Sequence, residues 1–110
     1  MRRLFLALSL LLPVTILISS ASMAQTKLDA SIFSYDGKDF VRTETTLIQD
    51  GQSAVGTKLD HDSPAYKALV EKHSYIGPAT VFGHNYQADY APLIGPDGKL
   101  SGALFVGVAK

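Results

Sequence analysis

The stretch Val55–Tyr86, VGTKLDHDSPAYKALVEKHSYIGPATVFGHNY, decides the fold class, because a short helical signature is followed at once by a strand pattern. Ser63 suits a helix N-cap, since its hydroxyl can accept hydrogen bonds from the free N–H groups of the first turn. Pro64 suits the first helical position, which needs no backbone donor. Apolar residues then recur at helical spacing as far as Val70. These features predict one short helix, from Pro64 to about Lys72.

The sequence on both sides of this helix has mostly the two-residue period of β-strands. Two runs precede the helix, separated by an Asp-Gly dipeptide that favours a tight hairpin, and three runs follow it. Short connections favour antiparallel pairing. We therefore predict an α+β domain with one five-stranded antiparallel sheet and a short helix between strands 2 and 3. The predicted strands are Ser31–Tyr35, Asp39–Ile48, Ser74–Phe82, Tyr86–Leu93 and Leu100–Val108, with a turn at Gln49–Gln52.

The N-terminal 24 residues have the organisation of a secretory signal peptide. An Arg2-Arg3 pair precedes an apolar run at Leu4–Ile18, and small residues lead to a peptidase site at Ala24. The run is shorter than the roughly 20 apolar residues that span a membrane, and it contains Pro13. We predict a signal-peptide helix cleaved after Ala24, a secreted or periplasmic location, and one domain at residues 25–110. A retained segment would instead anchor the chain to the membrane.

The predicted mature domain is slightly acidic. The full chain has ten Lys and Arg and ten Asp and Glu residues, and two of the arginines lie in the predicted signal peptide. This balance argues against a nucleic-acid partner, because phosphate binding needs a basic face. Cysteine is absent, which excludes thiolate metal sites and thiol nucleophiles. A chain of this size without disulfides depends on its core, or on a partner, for stability.

The segment Asp60-His61-Asp62 lies just before the predicted helix. Two carboxylates and an imidazole could bind a metal ion; alternatively, the acidic residues solvate the helix N-terminus and favour its dipole. Because no further ligand outside this segment is evident, we predict no metal and no other cofactor. His61 and Ser63 are too close in sequence to form a nucleophile and base, and no G-x-S-x-G motif exists. We therefore predict that the chain is not an enzyme.

Arg42 lies on the second predicted strand, where neither face is wholly apolar. Its guanidinium matches a carboxylate with two parallel hydrogen bonds; alternatively, it forms an exposed cross-strand pair with Glu44 or another acid. Three tyrosines and a histidine fall on adjacent strands after the helix, where they either contact the same small ligand or serve in packing. The predicted ligand-binding residues are Arg42, Tyr75, His84, Tyr86 and Tyr90.

Several segments together resemble the single Cache domain of bacterial sensors, in the subgroup described as Cache 3/Cache 2 fusion. The similar elements are G-T-x-L-D before an S-P-A-Y helix, a strand with Y-x-G and F-G, a Y-x-x-x-Y-x-P strand, and a D-G-K hairpin into a G-x-L-F-V-G strand. They keep the family's order over nearly all of residues 30–108. In this sequence they occupy Gly56–Asp60, Ser63–Tyr66, Tyr75–Gly83, Tyr86–Pro92 and Asp97–Gly107.

The resemblance implies a PAS-like extracytoplasmic sensory domain with the sheet order 2-1-5-4-3. Such domains bind small molecules, often short carboxylates, on the sheet face that the helix and loops cover. In chemoreceptors and sensor kinases they take part in chemotaxis and signal transduction through a membrane helix. Because only Gln25–Asp29 lie between the predicted cleavage site and the first strand, we expect no long N-terminal helix, and we expect no transmembrane or signalling part after Val108. We therefore expect one sheet face to be uncovered.

Two functions are consistent with these observations. The first is a Cache-type sensory module that binds a short organic acid or a similar metabolite without catalysis. The second is an interaction module, in which a truncated sensor domain uses its uncovered face to form a homodimer or to bind a membrane sensor.

Overall fold

A computed structural model describes residues 27–110 of the chain. The predicted signal-peptide helix and the cleavage site after Ala24 lie outside the described residues. Within residues 27–110 the chain forms one five-stranded antiparallel sheet and one short helix, as predicted. The sheet strands are β1 (Leu28–Tyr35), β2 (Phe40–Thr45), β5 (Tyr75–Val81), β6 (His84–Ile94) and β7 (Leu100–Ala109).

The strands of the sheet lie in the order β2-β1-β7-β6-β5. Counted along the sheet strands alone, this is the order 2-1-5-4-3 that the resemblance implied. A separate two-stranded hairpin, β3 (Ile48–Gln49) and β4 (Gln52–Ser53), follows β2. The central strand β7 thus joins the first and second halves of the chain.

The second predicted strand, Asp39–Ile48, is too long. β2 ends at Thr45, and the chain bends at Thr46. The Thr46 N–H donates to the carbonyl oxygen of Ala30 at 3.0 Å, and its hydroxyl donates to Asp29 Oδ1 at 2.8 Å. These contacts with β1 turn the chain into the β3–β4 hairpin.

A β-bulge in β2 changes which residues share a sheet face. Phe33 pairs with Arg42, whereas the preceding residue Ile32 pairs with Glu44, so that Thr43 is the extra residue. Arg42 consequently points into the core and is 3% exposed, while Glu44 is exposed. The alternative of an exposed pair between Arg42 and Glu44 is therefore wrong.

The helix α1 runs from Pro64 to Val70. It begins as its sequence requires, because the Ser63 hydroxyl accepts the Tyr66 N–H at 3.1 Å. Its buried residues, Ala65 and Leu69, face β5 and β6. The helix therefore packs on the β5–β6 side of the sheet.

The two faces of the sheet differ in what covers them. The covered face carries an aromatic core beneath α1 and the chain that leads into it, built from Phe33, Phe40, Tyr86, Tyr90 and Phe105. The opposite surface, here called the open face, consists of exposed apolar side chains on β1 and β7. Within residues 27–110 these side chains are 39–58% exposed. Its residues are Leu28, Ile32, Leu104, Val106 and Val108.

Candidate ligand-binding cavity

A cavity of about 490 Å³ lies between the covered face of the sheet and α1. Its walls come from β2, β5 and β6, from the β5–β6 turn, and from the segment that enters the helix. This volume falls within the range of roughly 300–1,000 Å³ typical of small-molecule pockets. Three basic side chains, Arg42, Lys58 and Lys110, line it together with one acidic side chain, Asp60. The cavity therefore suits a small anion by size and by charge.

Arg42 is held rigidly in the wall of the cavity. Its Nε donates to Ser31 Oγ at 3.3 Å, and its Nη1 donates to Thr57 Oγ1 at 3.0 Å. Its backbone N–H donates to the Thr57 carbonyl at 2.9 Å, and its carbonyl accepts from the Gly56 N–H at 2.8 Å. The guanidinium thus has a defined position before any ligand binds.

The charge of Arg42 is not compensated by an acidic side chain. The ion pairs among residues 27–110 both involve Asp39, and neither involves Arg42. Burial lowers the pKa of Arg42, while the nearby Tyr90 acts in the opposite direction. Because arginine normally titrates above about pH 12, the guanidinium stays charged near neutral pH. A buried charge without a partner is unusual, since charges inside proteins are normally paired.

Aromatic rings surround the guanidinium. Its carbon Cζ lies 4.8 Å from the ring centre of Phe33 and 5.0 Å from that of Phe82. Both distances are within the range of cation–π attraction. These contacts stabilise the cation without neutralising it, and they leave its hydrogen-bond donors available.

Tyr90 and Tyr75 form a second part of the cavity wall. Tyr90 is 2% exposed, and burial raises its pKa to about 12, although the positive charge of Arg42 opposes this rise. Tyr75 lies with its ring centre 6.4 Å from that of Tyr90, and its hydroxyl donates to the Pro78 carbonyl at 2.7 Å. Both tyrosines line the cavity.

Tyr86 joins the cavity to a buried carboxylate. Its hydroxyl donates to Asp29 Oδ2 at 2.8 Å, and burial together with this contact raises the pKa of Tyr86 to about 12. Asp29 is 7% exposed and accepts a second hydrogen bond from Thr46. The phenol therefore stays neutral and acts as a donor over the whole physiological pH range.

The structure brings four of the five predicted ligand-binding residues to one cavity: Arg42, Tyr75, Tyr86 and Tyr90. His84 is exposed at the start of β6, directly after the β5–β6 turn, and does not line it. Sequence reasoning missed Lys58 and Phe82 as cavity residues. Lys58 reaches the cavity because its segment pairs with β2 through an isolated bridge to Val41, a contact that no local sequence signal reveals.

The side chains of Asp60, His61 and Asp62 do not converge. His61 Nε2 lies 2.6 Å from Asp39 Oδ1, and its ring stacks on Tyr66 with 4.2 Å between ring centres. Asp60 Oδ1 accepts the Asp62 N–H at 2.9 Å in the turn before α1. Within residues 27–110, no group of three or more His, Cys, Asp or Glu side chains is placed to hold a metal ion.

Asp39 contacts a histidine and a lysine at the edge of the cavity wall. His61 approaches one of its oxygens, and Lys58 Nζ lies 3.4 Å from the other. The hydrogen bond with His61 is the main cause of the lowered pKa of Asp39. The segment that carries Lys58 and His61 forms part of the cavity wall. These contacts hold it against the loop before β2.

Comparison with known proteins agrees with this architecture. The family model described as the Cache 3/Cache 2 fusion domain matches residues 20–110. No curated protein and no solved structure matches the chain. Domains of this family are extracytoplasmic sensory and ligand-binding modules rather than enzymes. In the described part of the chain, no helix has the length and apolar character needed to cross a membrane. The chain belongs to the Cache 3/Cache 2 fusion domain family.

Proposed function

We propose that this chain is a secreted or periplasmic sensory module that binds a short organic acid without converting it chemically. The observation that carries the proposal is Arg42, a buried guanidinium with no acidic partner among residues 27–110, in the wall of a cavity of about 490 Å³. An anion that enters this cavity would supply the missing negative charge. Because Arg42 is already oriented by its neighbours, little side-chain entropy would be lost on binding.

The donors that remain on Arg42 suit a carboxylate. Within the described residues its hydrogen bonds use Nε and one N–H of Nη1, so Nη2 and the second N–H of Nη1 are left for a ligand. A carboxylate accepts such a pair with near-ideal geometry. Tyr90 and Tyr75 would contact the remainder of the acid, and Lys58 lies at the solvent side with its side chain 60% exposed. His84 would have no direct contact unless the ligand extended beyond the cavity.

Thermal unfolding with a panel of short mono-, di- and tricarboxylates at millimolar concentration tests the proposal. A ligand at 100 times its dissociation constant adds about 2.7 kcal/mol, which raises the Tm of a domain this small by about 10 °C or more. The matched variant is Arg42→Lys, which retains the positive charge but removes the planar pair of donors. A cooperative transition that no acid shifts, in the wild type as in the variant, would refute acid binding.

The open face favours a second function, an interaction module. Exposed apolar side chains on adjacent strands form this surface, with Leu28 opposite Val108 and Ile32 opposite Leu104 in the sheet register. A contiguous apolar surface of this kind marks many protein interfaces. A second copy of the chain or a membrane-bound sensor would cover it, and such a sensor would connect the domain to signal transduction or chemotaxis.

Sedimentation velocity at tens of micromolar tests this second function. Val106→Lys places a charge at the centre of the open face and should shift an associated species to the monomer. Ile48→Lys is the control, because Ile48 is equally apolar and 61% exposed but lies on the β3–β4 hairpin. The interaction function would be contradicted if the wild type sediments as a monomer and if crosslinking links it to no membrane sensor.

The proposed location requires removal of the first 24 residues after export. N-terminal sequencing of the protein recovered from the periplasm should begin at Gln25. Recovery of the intact chain in the membrane fraction would show that the segment is retained as an anchor instead.

A further inference from the structure

The β5–β6 turn has a backbone conformation that does not suit its sequence. Phe82 has φ 48° and Gly83 has φ 79°. Consecutive positive φ angles characterise the two-residue hairpin turns in which Asn, Asp or Gly is favoured at the first position. A bulky residue with positive φ is a genuine outlier, because its Cβ approaches the backbone too closely.

The β3–β4 hairpin of the same chain shows the ordinary solution. Its turn residues, Asp50 and Gly51, have φ 53° and 78°, which is nearly the same conformation. Aspartate tolerates this region far better than phenylalanine. The two turns therefore form a natural comparison, in which the turn at the cavity carries the less suitable residue.

The ring of Phe82 makes a contact that compensates for the strained backbone of the turn. It lies half-buried against the core, lines the cavity, and has its ring centre 5.0 Å from Cζ of Arg42. A residue of the usual turn type would leave this side of the guanidinium open to water. Strained backbone of this kind persists where the surrounding structure holds it, and it is concentrated at functional sites.

We propose that Phe82 is a positioning residue for anion binding: the turn presents its ring over the Arg42 guanidinium, which orients the cation and shields it from water. This inference rests on the proposed function for its ligand. The contact between ring and guanidinium is separately measurable in the protein without ligand, so that the two ideas can fail independently.

Three substitutions at one position separate the ring from the turn. Phe82→Tyr keeps the ring, Phe82→Leu keeps the apolar bulk without a ring, and Phe82→Asn removes both the ring and the apolar bulk while suiting the backbone. Asp50→Asn is the matched control at the equivalent turn. Should Phe82→Leu fail to fold, Phe82→Asn still removes the ring at a position where asparagine is favoured.

The first readout is the Arg42 Nε–Hε NMR signal, assigned by its loss in Arg42→Lys. Loss of the ring should move this signal and accelerate its hydrogen exchange, whereas the tyrosine variant and the control should leave it in place. The second readout is the Kd for whichever carboxylate shifts the wild-type Tm. We expect the leucine and asparagine variants to bind about tenfold more weakly, the size of a buried cation–π contact, and the tyrosine variant to bind within about threefold of wild type.

The outcomes are distinct. An Hε signal that is unchanged in both ring-less variants overturns the inference, and so does a shifted signal with unaltered carboxylate affinity. A wild type that binds no carboxylate refutes the proposed function, while the Hε signal still decides whether Phe82 positions Arg42.

Discussion

Arg42 and Thr57 are joined twice, once through their backbones and once through their side chains. The Arg42 N–H donates to the Thr57 carbonyl at 2.9 Å, and Arg42 Nη1 donates to Thr57 Oγ1 at 3.0 Å. The Thr57 hydroxyl in turn donates to the Ala54 carbonyl at 2.6 Å. One threonine therefore ties the cavity wall to both the main chain and the charged end of the arginine.

Thr57→Val should destabilise the protein and weaken anion binding together. The valine has a similar shape but cannot accept from Nη1, so a donor of the buried cation loses its partner. Hydrogen bonds to charged groups contribute about 1.5–3 kcal/mol, and urea unfolding should show a loss of that size. Thr57→Ser keeps the hydroxyl and should behave nearly as wild type, as should Thr43→Val at the exposed bulge. Equal stability of the valine and serine variants would contradict a stabilising role for the Thr57 hydroxyl.

Arg42→Met should abolish carboxylate binding without lowering the stability of the ligand-free protein. The two hydroxyls that accept hydrogen bonds from Arg42 keep other partners in its absence. Ser31 Oγ hydrogen-bonds with Thr45 Oγ1 at 2.7 Å, and the Thr57 hydroxyl donates to the Ala54 carbonyl. Replacing buried charges with apolar side chains is often neutral or stabilising, by about 1–4 kcal/mol. Calorimetry and urea unfolding on the same sample measure both effects. A loss of more than about 2 kcal/mol would show that the arginine serves the fold rather than a ligand.

Stability should decrease at alkaline pH because of Tyr86 and Tyr90. Each has its pKa raised from 10 to about 12, mainly by burial. The folded state therefore holds these protons more tightly than the unfolded state does. Their contribution is fully present below pH 10 and is lost as the pH rises through about 12. The free energy of unfolding, measured in urea from pH 8 to 12, should fall less steeply in Tyr90→Phe. An identical slope in variant and wild type would exclude Tyr90 as a contributor.

Gly107→Ala should destabilise the aromatic core. An added Cβ would lie 2.5 Å from Phe105 Cζ and 3.0 Å from Tyr86 Cδ1. Both rings are buried and packed edge to face with 5.8 Å between their centres, so neither can move away easily. Overpacking of this kind typically lowers stability by about 1–3 kcal/mol. Gly95→Ala is the control, because its added Cβ would meet only the exposed side chain of Asp97 at 3.0 Å and, less closely, the Lys99 carbonyl at 3.6 Å. Similar unfolding midpoints for the two variants would argue against a rigid core at Gly107.

The parts of the fold that depend on neighbours in sequence could be predicted. The start of α1 follows from Ser63 and Pro64 alone, because capping chemistry acts within one turn. The strands were recognisable from their two-residue period. The order of the strands came from the family resemblance, since periodicity shows that strands exist but not which ones are adjacent.

The parts that depend on contacts distant in sequence could not be predicted. The end of β2 at Thr45 depends on hydrogen bonds from Thr46 to β1, and the bulge at Thr43 decides that Arg42 is buried. The same limit applies to the candidate site. The tyrosines could be proposed because alternate residues of a strand share a face, whereas Phe82 was missed because its ring meets an arginine 40 residues earlier.

The segment that carries Thr57 has a further consequence for how the protein can aggregate. Gly56, Thr57 and Leu59 hydrogen-bond with Arg42 and Phe40, and they occupy the outer edge of β2. An unprotected sheet edge is a template for strand addition and fibre growth. On this side, a second chain could extend the sheet only by displacing a wall of the cavity. Any contact that holds this wall in place should therefore also slow fibril formation, because the edge of β2 then stays covered.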